Sequence, residues 1–112
     1  MRFKELEVWQ RSKALSVDIY RYFSTHPDFG FRDQITRSGL SIPSNIAEGY
    51  ERSAGKERIR FLTYAKGSSG ELHTQILIGY DIGYIDTSTA ERWSLETKEL
   101  SRMLYGLMRS LR

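Results

Sequence analysis

Apolar residues recur along most of this chain at spacings of three, four and seven, which is the period of an amphipathic helix. Four such segments are separated by short stretches rich in Pro, Gly, Ser, Thr and Asp. The pattern predicts helices at about residues 6–24, 31–52, 54–83 and 88–111. Because short loops place successive helices side by side, we expect an all-α, antiparallel up-down-up-down four-helix bundle forming a single domain over residues 1–112.

One apolar stripe in each of the last three segments is predicted to be buried. These stripes are Ile35, Gly39, Ile42, Ile46 and Tyr50 in the second segment, Leu62, Ala65, Ser69, Leu72, Ile76, Gly79 and Gly83 in the third, and Trp93, Thr97, Leu100, Leu104, Leu107 and Leu111 in the fourth. Each stripe advances by alternating steps of three and four, as expected for a bundle core.

The first and third segments carry more apolar residues than one stripe needs. The first has two adjacent stripes, Val8, Leu15, Ile19 and Tyr22 beside Trp9, Tyr20 and Phe23. The third adds Phe61, Tyr64, Ile78, Tyr80 and Ile82 outside its main stripe. Because an isolated bundle cannot bury this surplus, the pattern predicts self-association into a homo-oligomer without giving the number of subunits.

Pro43 lies inside the second segment, where the apolar stripe continues in phase on both sides of it. Proline lacks the N–H that would bond the Gly39 carbonyl, at a cost of about 3 kcal/mol in an ordinary helix interior. The unbroken phase predicts one kinked helix. The alternative is a second helix that starts with Asn45 as N-cap and Glu48 three residues later.

Two further helix starts can be predicted from cap residues. Ser53 is a candidate N-cap for the third helix, and Ser88 with Glu91 forms a candidate capping box for the fourth. Small residues at 65–70, including Gly67, lie in the middle of the third helix, where each glycine costs about 1 kcal/mol relative to alanine. They predict a close approach by a neighbouring helix or subunit, near Pro43.

The composition narrows the class of protein. Seventeen basic and 14 acidic residues give a net charge of +3, and 12 of the 17 are arginine, a mild bias that permits contact with polyanions. The chain has no cysteine, which fits a reducing compartment. The charged N-terminal residues do not resemble a signal peptide, and no window approaches 18 apolar residues, so we expect a cytoplasmic protein without a membrane partner.

Basic residues cluster at the turn between the second and third segments. They are Arg52, Lys56, Arg58, Arg60 and Lys66, partly offset by Glu51 and Glu57. One interpretation is a solvated, salt-bridged helix terminus. The other is contact with RNA or DNA, since a cyclic oligomer would repeat a modest site around a ring and gain avidity.

Metal chemistry is not indicated. A di-metal carboxylate bundle needs a Glu-x-x-His motif on each of two helices, and the chain has none. His26 stands beside Pro27 in a predicted loop. His73 is two residues from Glu71, a spacing that places the side chains of His73 and Glu71 on different faces of the helix. We therefore expect no metal and no cofactor.

Other catalytic arrangements are also weakly supported. The stretch from Lys66 to Gly70 lacks the residue order of a phosphate-binding P-loop. Glu48 and Glu71 could form an acid/base pair, but we favour structural roles in which they accept hydrogen bonds from Asn45, Arg37 or exposed backbone groups. The sequence predicts a protein that is not an enzyme and has no small-molecule substrate.

Several short motifs, in this order and spacing, resemble one family. They are Phe3-Lys4-Glu5-Leu6-Glu7-Val8-Trp9-Gln10, Gln34-Ile35 with Arg37, Ser41-Ile42-Pro43-Ser44-Asn45-Ile46-Ala47-Glu48-Gly49, Phe61-Leu62, Ala65 with Gly67-Ser68, Glu71-Leu72, Thr74-Gln75 and Gly83-Tyr84-Ile85. The chain resembles the four helix bundle protein family, also called the 23S rRNA intervening sequence protein family, over nearly its whole length.

The resemblance implies an antiparallel four-helix bundle that assembles into a homopentamer, encoded in some bacteria by insertions within ribosomal RNA genes, with no enzymatic activity. It marks Pro43, Asn45, Glu48, Gly49, Gly67 and Glu71 as structural motif residues. A related branch, the accessory variability determinant of diversity-generating retroelements, is a basic pentamer that binds nucleic acid and a reverse transcriptase. Two functions follow as hypotheses: a homo-oligomeric scaffold or adaptor with a protein partner, and a ring that binds RNA through repeated basic patches.

Overall fold

The structure, a computed structural model, describes residues 2–52 and 54–112. A short 3-10 turn at Phe3–Glu5 comes first, and no described residue lies in a β-strand. The four helices of the described chain are α1 (Glu7–Tyr22), α2 (Phe29–Arg52), α3 (Gly55–Asp81) and α4 (Thr87–Ser110). The prediction of an all-α fold with four helices is confirmed, and every predicted helix end lies within two residues of the observed one.

Each helix packs against two others, so that α2 contacts α1 and α3, and α4 contacts α3 and α1. Among the described residues, α1 does not contact α3 and α2 does not contact α4, which places these pairs diagonally across the bundle. The molecule is elongated, with extents of 42 × 20 × 20 Å. None of the described helices has an apolar stretch that could cross a membrane.

Side-chain pairs define how neighbouring helices are aligned. Tyr22, at the end of α1, bonds the Asp86 carboxylate just before α4. Arg11, near the start of α1, bonds Glu96 further along α4. These two pairs show that α1 and α4 run in opposite directions.

The core is built from the predicted stripes. The fully buried side chains include Ile19, Phe23, Ile35, Ile42, Ile46, Leu62, Leu72, Ile76, Trp93, Leu100 and Leu104. Differences occur near helix ends: Leu107 and Leu111 are only partly buried, and Met108 is buried. Gly83 lies in the turn after α3 with φ of 84°, a left-handed conformation that favours glycine.

α2 runs without interruption across Pro43, which is buried. The alternative of a new helix at Asn45 is therefore wrong. The Asn45 side chain donates to the backbone carbonyl and to the hydroxyl of Ser41, both at 2.9 Å. It thus satisfies groups one turn before it instead of capping a new helix.

The predicted cap residues need correction. Ser53 lies outside the described residues, and the N-cap position of α3 is Ala54, which offers no capping side chain. The N-cap of α4 is Asp86, whose carboxylate accepts bonds from the backbone N–H and the hydroxyl of Thr89 at 2.8 and 2.9 Å. The capping box with Ser88 at the N-cap is wrong because the N-cap lies two residues earlier, at Asp86.

Candidate functional site

Most of the basic cluster lies at one end of the bundle. Arg52 ends α2, and Lys56, Arg58 and Arg60 lie in the first two turns of α3. Lys66 lies nearly two turns further along α3 and is half-buried. The cluster predicted from the sequence is thus spread along the start of α3.

Arg58 is directed at the end of α2. Its Nε atom donates to the Gly49 carbonyl at 3.2 Å and its guanidinium donates to the Tyr50 carbonyl at 3.3 Å. The guanidinium carbon also lies 4.2 Å from the centre of the Tyr50 ring, a cation–π contact. Because the last carbonyls of a helix have no partner within the helix, Arg58 acts as a C-terminal cap that joins α2 to α3.

Two other members of the cluster are ion-paired within their own helices. Arg52 pairs with Glu48, and Arg60 pairs with Glu57. All four side chains are exposed to solvent, so each pair contributes little to stability. Within the described chain, Lys56 forms no ion pair.

Aromatic rings lie beside this cluster on α3. The Arg60 guanidinium is 5.8 Å from the centre of the Phe61 ring and 6.0 Å from that of Tyr64. Tyr64 is 48% exposed and Phe61 is half-buried. A cation next to exposed aromatic faces is an arrangement that can stack nucleobases as well as protein side chains.

Polar residues of the family motifs form a seam between α2 and α3. Ser38 donates to a carboxylate oxygen of Glu71 at 2.8 Å. The hydroxyls of Ser41 and Ser68 are 2.8 Å apart, and Ser41 also receives the Asn45 amide. These bonds fix the alignment of α2 against α3.

The predicted donors for the two motif carboxylates were wrong. Glu48 accepts from Arg52, one turn along its own helix, and Glu71 accepts from Ser38. Neither carboxylate accepts from Asn45 or Arg37 in the described structure. Since each has its own partner on a different part of the surface, the geometry offers no support for an acid/base pair.

The small-residue stretch of α3 meets α2 near Pro43 through Ser68, whose hydroxyl lies 2.8 Å from that of Ser41, but not through its glycines. A tight approach at a glycine of α2 occurs instead at Gly49. A Cβ atom built on Gly49 would lie 2.9 Å from the Cβ of Phe61 and 3.4 Å from the Arg58 carbonyl oxygen. A Cβ on Gly67 or Gly70 would meet nothing within 4 Å. The expected neighbouring-helix contact at these two residues is therefore wrong, and a contact with another subunit stays a prediction.

The two histidines have protein partners. His73 Nδ1 lies 2.8 Å from the Thr97 hydroxyl, across the α3–α4 contact. His26 Nδ1 accepts the Asp28 backbone N–H at 3.1 Å, and its ring packs on Tyr84 with 4.3 Å between ring centres. Over residues 2–52 and 54–112, no group of three or more His, Asp or Glu side chains could hold a metal ion.

A hydrogen-bonded cluster joins the two loops at the other end of the bundle, and sequence reasoning missed it. Tyr84 donates to the Asp28 carboxylate at 2.8 Å, and that carboxylate also accepts the Phe31 backbone N–H at 3.1 Å. The backbone N–H of Phe31 and the Tyr84 hydroxyl lower the pKa of Asp28. The Asp86 pKa is likewise lowered, chiefly by the Thr89 backbone N–H.

A groove between α1 and α4 was also missed. It has a volume of about 720 Å³ and is lined by Trp9, Gln10, Arg11, Lys13, Ala14, Leu15, Val17, Asp18, Arg21, Arg92, Trp93 and Glu96. Its residues are up to 87 positions apart in the chain, so no local motif signals it.

Two ion pairs cross this groove. Arg11 bonds both carboxylate oxygens of Glu96, at 2.5 and 3.0 Å. One Asp18 oxygen accepts from Arg92 at 2.7 Å and from the indole N–H of Trp93 at 2.9 Å. The bond from Arg92, followed by that from Trp93, lowers the pKa of Asp18. Both acids of the groove are thereby neutralised within the chain.

Much of the predicted apolar surplus is exposed. Ile78, Tyr80 and Ile82 are 44–53% exposed, and Tyr20 is 45% exposed. By contrast, Phe23 is fully buried, and Trp9 is half-buried against Phe3. The prediction of surplus apolar surface thus applies to most, but not all, of the side chains on which it was based.

These features define a small helical-bundle protein with a polar seam between α2 and α3 and uncovered apolar faces. Residues 4–106 match the model of the 23S rRNA-intervening sequence protein family. Because this match covers most of the chain, the protein belongs to that family.

A solved structure has the same fold. It is the 1.70 Å crystal structure of a protein with unknown function from the S23 ribosomal protein family of Bacteroides thetaiotaomicron VPI-5482. The two chains superpose with a TM-score of 0.84 at 24% sequence identity, covering 90% of this chain and 97% of that one. No match is found among curated proteins.

Proposed function

We propose that this chain is a non-enzymatic, cytoplasmic scaffold or adaptor that assembles into a homo-oligomer. Its helices run up-down-up-down, and α2 bends at Pro43. The expectation of five subunits rests on the resemblance to the family. The observation that carries the proposal is the presence of two apolar faces on different sides of the bundle.

The first face, here called the α3 face, consists of Ile78 and Ile82, which lie one turn apart at the end of α3 and are 48 and 53% exposed. Tyr64 lies on the same side of the helix nearer its start, whereas Leu77 and Tyr80, 46 and 44% exposed, lie on the other flank. Adjacent exposed apolar side chains are typical of an interaction site. The α3 face is therefore the stronger candidate for contact with another subunit.

The second face, here called the α1–α2 face, lies around a shallow depression between those helices. Tyr20 and Leu40 line it and are 45 and 46% exposed, with Pro43 beneath them. Lys13, Val17 and Arg21 line both this depression and the α1–α4 groove. Since α1 lies diagonally across the bundle from α3, the two faces point in different directions. Rings are built from such head-to-tail contacts between unlike faces, whereas a two-fold dimer uses the same face twice.

The test is light scattering on the purified protein and on single-face variants. Ile78→Glu places a charge in the α3 face, and Leu40→Glu places one in the α1–α2 face. Each should reduce the oligomer to a single subunit with unchanged helical circular dichroism. Leu95→Glu is the matched control, because Leu95 is 68% exposed on α4 and lies outside both faces.

Mixing the two variants gives a sharper result. Each retains one intact face, so an equimolar mixture should form a dimer and go no further. A mixture that stays monomeric would show that the contact does not join these two faces. A wild-type protein that is a single subunit at micromolar concentration would reject the proposal as a whole.

The alternative function is an RNA-binding ring. It is favoured by the exposed basic residues beside aromatic rings at the α2–α3 end, which a ring would repeat around its axis. Affinity for total cellular RNA should then fall steeply between about 50 and 200 mM salt. The variant to use is Lys56→Ala with Arg60→Ala, because Arg58 holds the end of α2. No binding at low salt would reject this alternative.

A further inference from the structure

We infer that the groove between α1 and α4 binds an acidic amphipathic segment of a partner protein. This inference names the partner of the proposed adaptor and therefore rests on that function. It depends on the distribution of charge and apolar surface within the groove. Neither the family match nor the solved relative assigns a ligand to this groove.

The groove has more positively than negatively charged side chains. Glu96 is neutralised by Arg11, and Asp18 by Arg92. The groove also contains Lys13 and Arg21, and within the described chain neither forms an ion pair with a carboxylate. Lys13 lies 5.5 Å from the centre of the Trp9 ring, and Arg21 interacts with Asp18 through space. With four cations and two acids in its lining, the groove carries a net charge of +2 toward an external anion.

Lys13 and Arg21 have a defined spacing. They are eight residues apart on α1, which places them about 12 Å apart along the helix. Two carboxylates seven or eight residues apart on a partner helix span a similar distance. A partner helix lying along α1 could therefore meet both cations at once.

Between the cations the groove exposes two apolar side chains, Val17, which is 38% exposed, and Ala14. The half-buried Trp9 lies one turn before Lys13 at the end of the groove. Apolar side chains on the partner, placed between its two acids, would cover this strip. A helix that combines an apolar face with flanking charge is a common ligand for such grooves.

The same features disfavour a nucleic acid at this position. A phosphate backbone has no apolar group to cover Val17 and Ala14. The net charge of the groove is only +2, whereas nucleic-acid sites use many cations.

The chain supplies its own reporter for binding. It has two tryptophans, both in the groove. Trp93 is 1% exposed, whereas Trp9 is half-buried, so emission from Trp9 should shift when the groove is covered. Trp9→Phe, with Trp93 retained, should abolish that shift.

The probe is a labelled synthetic helical peptide of about 15 residues, with two Glu residues seven positions apart and Leu residues between them. Fluorescence anisotropy gives its affinity, and a peptide with Gln in place of both Glu residues is the charge control. We expect the Glu peptide to bind with a Kd of about 100 µM or tighter. The Gln peptide should bind about tenfold more weakly, and added salt should weaken the Glu peptide.

Protein variants locate the site. Lys13→Gln with Arg21→Gln should weaken the Glu peptide about tenfold, with unchanged circular dichroism. Lys98→Gln with Arg109→Gln removes the same charge from exposed positions of α4 outside the groove and should leave the affinity unchanged. Equal effects of the two double variants would overturn the inference, because they would show a general effect of net charge.

Other outcomes are also decisive. Equal binding of the Gln and Glu peptides, or no binding at low salt, would overturn the inference. A shift of the Trp9 emission on adding single-stranded RNA, without a shift on adding the peptide, would also overturn the inference. If Lys13→Gln with Arg21→Gln changes the mass of the oligomer, the groove is a subunit contact instead. Because light scattering measures assembly separately, failure here can be distinguished from failure of the proposed scaffold function.

Discussion

The hydroxyl of Tyr84 donates a 2.8 Å hydrogen bond to the carboxylate of Asp28. The two residues are 56 positions apart and belong to the loops before α4 and α2. The same carboxylate accepts the Phe31 N–H in the first turn of α2. The Asp28 carboxylate therefore joins two connections of the bundle through one bond and holds the start of α2 through the other.

Removing that bond should loosen this end of the molecule. We expect Tyr84→Phe to lower the Tm by a few degrees while the ring contacts with Phe31 and His26 remain. Tyr80→Phe removes a hydroxyl from an exposed residue of α3 and is the matched control. Equal Tm values for the two variants would contradict the role given to the bond.

Stability should decrease in acid because of Asp28 and Asp86. Both carboxyl groups have a pKa below the ordinary value of 3.8 in the folded protein, mainly because backbone N–H groups bond their charged forms. A lowered folded pKa means that the unfolded chain binds protons more readily. The stabilisation is therefore present above about pH 4 and is lost as the pH falls through the folded pKa values.

This pH dependence can be assigned by substitution. Urea unfolding at pH values between about 7 and 3 should show a smaller acid loss for Asp86→Asn than for the wild type, since Asn can cap α4 but does not titrate. Asp81→Asn, at the exposed end of α3, is the control. A wild-type midpoint that does not change with pH would exclude the effect.

The buried stripes could be predicted from the sequence because they depend on helical period alone. Ile35 and Ile46, for example, are both fully buried. The phase across Pro43 also predicted a continuous helix correctly, since a buried face imposes a stronger constraint than one missing backbone bond. Period and phase carry that information locally.

The partners of polar side chains could not be predicted in the same way. Glu71 pairs with Ser38 and Glu96 with Arg11 because the fold brings distant turns together. Nothing near these residues in the sequence specifies their partners. The N-cap of α4 was missed for a different reason: Asp86 and Ser88 are both good caps, and the choice depends on where the helix begins.

Two glycines should respond oppositely to alanine. At Gly49 a new Cβ would lie 2.9 Å from the Cβ of Phe61, so Gly49→Ala should separate α2 from α3 and cost about 1–3 kcal/mol. At Gly67 the space is open, so Gly67→Ala should stabilise α3 by up to about 1 kcal/mol. Urea unfolding measures both. If Gly67→Ala instead disrupts the oligomer, then a subunit packs on that residue.

Pro43→Ala tests how the proline shapes assembly. The side chain is buried in α2 and lies beneath the α1–α2 face. Alanine restores a backbone donor and should remove the proposed bend, so we expect unchanged circular dichroism and an altered oligomer by light scattering. Ser44→Ala, the exposed neighbour, is the control. An unchanged oligomer would contradict the proposed bend.

Arg58→Ala should lower the stability of the fold, whereas Arg60→Ala, in the same basic cluster, should have little effect on it. Loss of the bonds to the Gly49 and Tyr50 carbonyls and of the contact with the Tyr50 ring should destabilise the protein by about 1–2 kcal/mol. Arg60→Ala should change stability by less than about 0.5 kcal/mol, because its ion pair is exposed.

Urea unfolding of the two arginine variants measures the difference, and Arg58→Lys shows whether charge alone is sufficient. We expect Lys to restore only part of the loss, since it cannot reach two carbonyls with a planar group and stack on the Tyr50 ring together. Equal stability of Arg58→Ala and Arg60→Ala would show that Arg58 is an ordinary surface cation. In that case it would become available, with Lys56, for the RNA contact.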